Sequence, residues 1–205
     1  NRMDIIGHLG VGHVGGSLSV VETMVLLYYK YMRVDPKNPA KEGRDRFILS
    51  KGHAGPTLYT ILADKGYFPK EMLYTPNQNG TNLPSHPDVL RTPGIDMTTG
   101  SLGQGLSIAV GVAAASRLKK DGARVYSIIG DGECQEGQIW EAAMYAAHLK
   151  LDNLIAFVDF NGLQIDGRID EINGIEPLDK KWEAFGWDTQ VVDGHDLDAI
   201  DAAIA

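Results

Sequence analysis

Arg124-Val125-Tyr126-Ser127-Ile128-Ile129-Gly130-Asp131-Gly132 decides how this chain folds. An apolar run of strand length ends on Gly-Asp-Gly. Downstream, Leu154-Ile155-Ala156-Phe157-Val158-Asp159-Phe160 is a second such run, and it ends on Asn161-Gly162. The residues between, 135–150, read as a helix. A strand, a helical crossover and a second strand make the repeating unit of a parallel sheet. Asp131 and Asn161 therefore fall at C-terminal strand ends, the edge where α/β sheets bind ligands. A carboxylate and an amide oxygen are hard donors suited to Mg²⁺, which takes octahedral oxygen ligation beside phosphates. The glycines let the backbone come close to a diphosphate. Read alone, Asp-Gly and Asn-Gly are also ordinary turn dipeptides; the flanking strands and helix favour the ligand edge.

The rest of the chain bounds the protein. With 205 residues, 43% of them hydrophobic, it can bury one sizeable core, and 1–205 reads as a single domain. The net charge is −8, and no basic cluster exceeds Lys119-Lys120 or Lys180-Lys181, which argues against nucleic acid and anionic membranes as partners. An acidic chain that binds a diphosphate needs local cations, which Mg²⁺ and histidines can supply. The single Cys134 excludes an internal disulfide framework and points to a reducing, cytoplasmic setting. No signal peptide and no apolar run of membrane-spanning length is expected. The chain starts on Asn1 and still has a helical pattern over 200–205, as expected of a slightly longer protein trimmed at both ends.

Helices are expected over 2–9, 19–32, 56–65, 104–120, 178–185 and 196–205, and further strands over 46–50 and 187–192. Ser19 is the expected N-cap of its helix, with Glu22 completing a capping box. The stretch 76–93 is rich in Pro, Asn and Gly, without periodicity; long irregular segments of this kind are often functional. Strands alternating with helices imply an α/β fold, a parallel sheet with helices on both faces.

Three histidines, His13, His53 and His86, sit in loops flanked by glycine or proline. A loop histidine is often a surface or capping residue. It can also donate to a phosphate or a sugar hydroxyl and move protons near neutral pH. Their spacing does not match a zinc site. His8 and His148 read as structural, His195 as a helix-entry residue and Cys134 as a small packing residue. The segment 100–105 reads Gly-x-x-Gly-x-Gly, which does not match the dinucleotide fingerprint.

Five segments together resemble the transketolase family of thiamine-diphosphate enzymes, in that family's order. They are Gly12-His13-Val14-Gly15-Gly16-Ser17-Leu18, Leu49-Ser50-Lys51-Gly52-His53-Ala54, Leu83-Pro84-Ser85-His86-Pro87-Asp88, Thr99-Gly100-Ser101-Leu102-Gly103-Gln104-Gly105, and the Gly130-Asp131-Gly132 turn with Asp159-Phe160-Asn161-Gly162-Leu163-Gln164-Ile165-Asp166-Gly167. The resemblance implies a thiamine-diphosphate-binding fold of the diphosphate-binding type. It implies Mg²⁺, with Ca²⁺ or Mn²⁺ able to take its place, held by Asp131, Asn161 and the Leu163 carbonyl. By the same resemblance the cofactor meets His53, Gly100, Ser101, Leu102, Asp131, Gly132, Asn161 and Ile165, while His13 and His86 are catalytic and face the sugar. Glu136 would lie near an interface between subunits. Val14 stands where the family usually has proline, and Ser101 replaces another common proline.

The resemblance also implies what such a chain does. The cofactor carries the hard chemistry, an ylid and an electron sink. A two-carbon ketol unit passes from a ketose, free or phosphorylated, to an aldose, as in the pentose phosphate pathway of carbohydrate metabolism. The family's cofactor-activating glutamate lies in a second, pyrimidine-binding domain, for which this length leaves no room. The expectation is therefore the N-terminal subunit of a split transketolase. It would be inactive alone, would self-associate, and would join a C-terminal pyrimidine-domain subunit in an assembly of two plus two chains. Two alternatives stand beside it: the N-terminal half of a deoxyxylulose-phosphate synthase-like enzyme, and a non-catalytic assembly module of the same fold.

Overall fold

The computed structural model describes residues 12–165 and 167–205. The helix expected over 2–9, with His8, and Asp166 of the fifth segment lie outside the described residues. In chain order the elements are α1 (Val14–Leu18), α2 (Val21–Leu26), β1 (Arg46–Leu49), α3 (Gly55–Lys65), α4 (Gln104–Lys119), β2 (Val125–Gly130), α5 (Gly137–His148), β3 (Leu154–Asp159), β4 (Leu163–Gln164), β5 (Gly167–Arg168), α6 (Ile169–Asn173), α7 (Leu178–Ala184) and α8 (Leu197–Ile204).

β2 is the central strand, paired in parallel with β1 and β3. Its register sets Arg46 beside Val125 and Gly130 beside Asp159, so all three strands point the same way. Every residue of β2 is buried, as a strand covered on both faces must be. Alternate side chains go to opposite faces. Tyr126 and Ile128, with Phe47 and Leu49, pack against Met24 of α2 and Leu58 and Leu62 of α3. Val125 and Ile129, with Ile48, pack against Leu106 and Val110 of α4 and Ile139 and Ala143 of α5. Each Val, Leu, Ile, Phe or Met side chain among them contributes roughly 1.5–3 kcal/mol by leaving water. The expected α/β sheet with helices on both faces is therefore present.

Small residues set how closely α4 approaches the sheet. Ala109 and Ala113 are fully buried. A Cβ on Gly105 would lie 2.6 Å from Ser50 Cα, so the first turn of α4 presses directly on the end of β1. α3 follows a 3-10 turn at Gly52–Ala54 and stops at Gly66 in the left-handed conformation. α5 is shorter than the expected 135–150, because a 3-10 turn, Gly132–Gln135, occupies the chain just after β2. The 76–93 stretch is irregular as expected. It is pinned by fully buried Leu83 and by Tyr59 Oη, which donates to the Pro84 carbonyl at 2.9 Å.

Three expectations are corrected. The capping box at Ser19 and Glu22 does not form. Val20 is the N-cap of α2, while Ser19 closes α1 and donates its hydroxyl to Asp159 at 2.7 Å. A charge-assisted bond to a carboxylate is the stronger use of that hydroxyl. The helix over 19–32 is not continuous either, since α2 passes into a π-helical turn at Leu27–Tyr31. There Tyr28 packs edge-on to Phe47 in the core, and Tyr31 Oη donates to Asp201 of α8 at 2.6 Å. Finally, 187–192 forms no strand. Trp187 packs edge-on against Trp182 at 5.0 Å and donates its Nε1–H to the Ala143 carbonyl of α5. The Val191 and Val192 side chains are left exposed. No described helix is long and apolar enough to cross a membrane.

Candidate functional site

The sheet edge gathers polar residues from β1, β2 and β3. Asp131 follows β2 and is almost wholly buried. One of its oxygens accepts from the Gly132 N–H at 2.8 Å and the other from the Gly162 N–H at 2.7 Å. Burial raises its pKa, and the two N–H bonds pull partly the other way. The Gly132 N–H, expected to face a diphosphate, is turned to this carboxylate. Asn161 Oδ1 accepts from the Leu163 N–H at 2.9 Å. Gly162 and Leu163 thus bind Asp131 and Asn161 through consecutive backbone amides, which brings the two expected cation ligands to one turn.

The sequence assigned no role to Lys51, Asp159 or Glu133, and only a capping role to Ser19, yet the structure puts all four at the centre. Lys51 is 1% exposed and forms an ion pair with Asp159 at the end of β3. The same Asp159 oxygen accepts from Ser19 Oγ at 2.7 Å and from Asn161 Nδ2 at 3.0 Å. Glu133 is buried beneath the edge, where one carboxylate oxygen takes both Ser50 Oγ and the Gly103 N–H (2.9 Å). Its other oxygen takes the Gly130 N–H at 3.0 Å. Burial raises its pKa against these bonds. The available signal was position: Ser50-Lys51 follow one apolar strand run, Asp159 lies at the end of another, and Glu133 sits just past the Gly130-Asp131-Gly132 turn.

His13, His53 and His86 meet, although they come from three separate segments. Together they line a pocket of about 240 Å³ with Tyr59, Asn77 and Ser85. The rings of His13 and His53 are 5.2 Å apart. Burial, then the Lys51 ammonium and the other two histidines, push His53 down to about 4, so it is neutral at physiological pH. Burial and His13 lower His86 as well. The irregular 76–93 segment supplies one wall of this pocket through Pro76, Asn77, Pro84, Ser85 and His86.

The 100–105 loop lies against both. Gly100 has φ +138°, and a Cβ there would meet His86 at 2.8 Å. A Cβ on Gly52 would in turn meet Gly100 at 2.8 Å, so the second and fourth segments touch through bare backbone. Ser101 and Leu102 are exposed beside them. Ile165 is 94% exposed with φ +22° near the tip of the β4–β5 hairpin, and Leu163 is exposed too. Ile165 is therefore no core residue. Glu136 is exposed at the start of α5, beside Gly103. Cys134 is buried as a packing residue. His148 is exposed on α5, and His195, exposed just before α8, contacts Glu22 at 3.3 Å.

The donor set at this edge is chemically suited to a divalent cation and an anion. Asp131 and Asn161 each have one N–H on every acceptor oxygen, which leaves lone pairs for a metal. The Lys51 ammonium and the N–H groups of His53 and His86, whose pKa values burial lowers, add the positive and donor groups an anion needs.

A family model described as the transketolase thiamine diphosphate binding domain matches residues 2–205. A 6-deoxy-6-sulfo-D-fructose transketolase subunit of Clostridium sp. (strain MSTE9) is 59% identical over 98% of this chain and 74% of its own length. One of the apulose-4-phosphate transketolase subunits of Phocaeicola vulgatus is 41% identical over 97% of this chain and 70% of its own. The transketolase crystal structure from Campylobacter jejuni superposes with a TM-score of 0.93 at 33% identity, over 99% of this chain. This chain spans 33% of that longer protein.

Proposed function

Because the chain belongs to the transketolase family through its thiamine-diphosphate-binding domain, we propose that it is the diphosphate-binding subunit of a split transketolase. It moves a two-carbon ketol unit from a ketose, free or phosphorylated, to an aldose. The observation that carries this reading is the convergence of His13, His53 and His86 on one pocket beside the Asp131–Asn161 turn. When bound, thiamine diphosphate supplies a nucleophilic carbon and an electron sink.

The chain's own residues do the rest. Asp131, Asn161 and the Leu163 carbonyl hold Mg²⁺, or Ca²⁺ or Mn²⁺ in its place. His53, neutral through burial, donates an N–H to the diphosphate. Gly100, Ser101 and Leu102 line the cofactor with backbone and one apolar side chain, and exposed Ile165 covers it from the hairpin. His13 and His86 stabilise developing oxyanions and move protons on the sugar. A partner chain carrying the pyrimidine-binding domain supplies the activating glutamate, and two copies of each chain form the assembly. The description of relatives as subunits supports that division.

The test is a two-carbon transfer assay with and without a pyrimidine-domain partner, alongside mass measurement in solution. Activity only on mixing, at the mass of two plus two chains, is expected. Full activity from a monomer of this chain alone overturns the split reading.

A further inference from the structure

We propose that Asp159 is a positioning residue: it fixes which end of the Asn161 amide faces the cation. This rests on the cofactor reading above. Asn161 is exposed, so packing does not choose between its two amide orientations. A cation accepts the oxygen and repels the NH₂ end. Asp159 is acceptor-only, and its Oδ2 lies 3.0 Å from Asn161 Nδ2. Only the NH₂ end can bond there. The Leu163 N–H, a donor, holds the oxygen end from the other side at 2.9 Å. The amide is thus locked at both ends, with its oxygen on the turn that Gly162 ties to Asp131.

Asp159 is itself held for this task. Its Oδ2 also accepts from Ser19 Oγ and from buried Lys51, and its side chain is only 11% exposed. The Lys51 ammonium is its ion-pair partner, so this second carboxylate near Asp131 is already engaged and does not serve as a cation ligand. Ser19 directly follows the first segment, and Lys51 lies in the second. The lock therefore makes the geometry of Asn161 depend on three separate parts of the chain being folded against one another. Partners of this kind, one shell out from a metal, typically change metal affinity 10–100-fold when removed.

The experiment is a mutant cycle read by calorimetry on the assembled protein, titrating Mg²⁺ at fixed thiamine diphosphate. Asp159→Ala is expected to raise the Mg²⁺ half-saturation by roughly 10–100-fold. In an Asn161→Asp background both side-chain oxygens are acceptors and orientation no longer matters. There the same Asp159→Ala change should leave Mg²⁺ binding equal or tighter, since it also removes a like charge. Asp159→Asn, nearly isosteric, repeats the cycle should the alanine variant fold poorly. Equal losses in both backgrounds mean a merely structural role and overturn the proposal. So does unchanged Mg²⁺ binding in Asp159→Ala and Asp159→Asn while Asp131→Ala loses it, a result that leaves the cofactor reading intact. Absence of Mg²⁺-dependent cofactor binding in the unmutated protein overturns both.

Discussion

The Gly162 N–H donates to Asp131 across 2.7 Å, tying the turn after β3 to the end of β2. Register alone sets Gly130 beside Asp159. This bond goes one step further and brings the two proposed cation ligands to one place.

Removing the Asp131 carboxylate should therefore have two effects. Asp131→Ala is expected to abolish Mg²⁺-dependent thiamine-diphosphate binding in calorimetry. It should also lower stability by about 1.5–3 kcal/mol, since hydrogen bonds to a charged group are lost. Undiminished cofactor binding in this variant would remove Asp131 from the metal site.

Glu133 joins three of the loops at the sheet edge, through Ser50, Gly103 and Gly130. Truncation strands a buried hydroxyl and two buried N–H groups. Glu133→Ala should cost about 3 kcal/mol or more in a denaturant titration, since each buried donor left without a partner costs about 1–3 kcal/mol. Glu133→Gln keeps the shape and one good acceptor, and its cost should be clearly smaller. Equal behaviour of the two variants would show that the carboxylate itself is not what holds the loops.

Much of this was legible because strand ends announce themselves. The apolar runs before Gly130 and Asn161 placed Asp131 and Asn161 at one edge, and β2 and β3 are found there. What escaped was long-range competition for polar groups. Ser19 has the local pattern of an N-cap, but a carboxylate from β3, distant in sequence, takes its hydroxyl. Trp187 begins a segment with strand composition, but it packs on Trp182 and bonds to Ala143, and the segment forms no strand. Lys51 and Asp159 each look like ordinary surface charges until folding buries them as a pair. Local periodicity carries no information about such partners.

The three pocket histidines should separate by role. His53→Ala is expected to weaken thiamine-diphosphate binding, by about 1.5–3 kcal/mol for one lost bond to a charged group. His13→Ala and His86→Ala should instead lower turnover or sugar affinity and leave cofactor binding near its original value. Cofactor and sugar constants measured for all three variants decide the matter; identical profiles would collapse the distinction.

The depressed pKa of His53 makes a prediction about stability and acid. Folded, it titrates at about 4; the unperturbed value is 6.5. Between these values the unfolded chain binds the proton and the folded one does not, so stability rises with pH across that window. The contribution is fully present above pH 6.5, is lost progressively as pH falls, and is gone below pH 4. Asp131 and Glu133, whose pKa values burial raises, act in the opposite sense, because their folded forms hold protons longer as pH rises. The difference between two proteins isolates the histidine. His53→Gln keeps a polar side chain of similar size without a group that titrates here. Unfolding midpoints of the unmutated protein and of His53→Gln, measured without cofactor from pH 4 to pH 7, should converge at the acid end relative to their separation at neutrality if glutamine is the less stable. If glutamine is the more stable, the gap should widen as pH falls. A constant gap across the window would mean that His53 keeps an ordinary pKa in the folded protein, and would remove the reason for treating it as a neutral donor to the diphosphate.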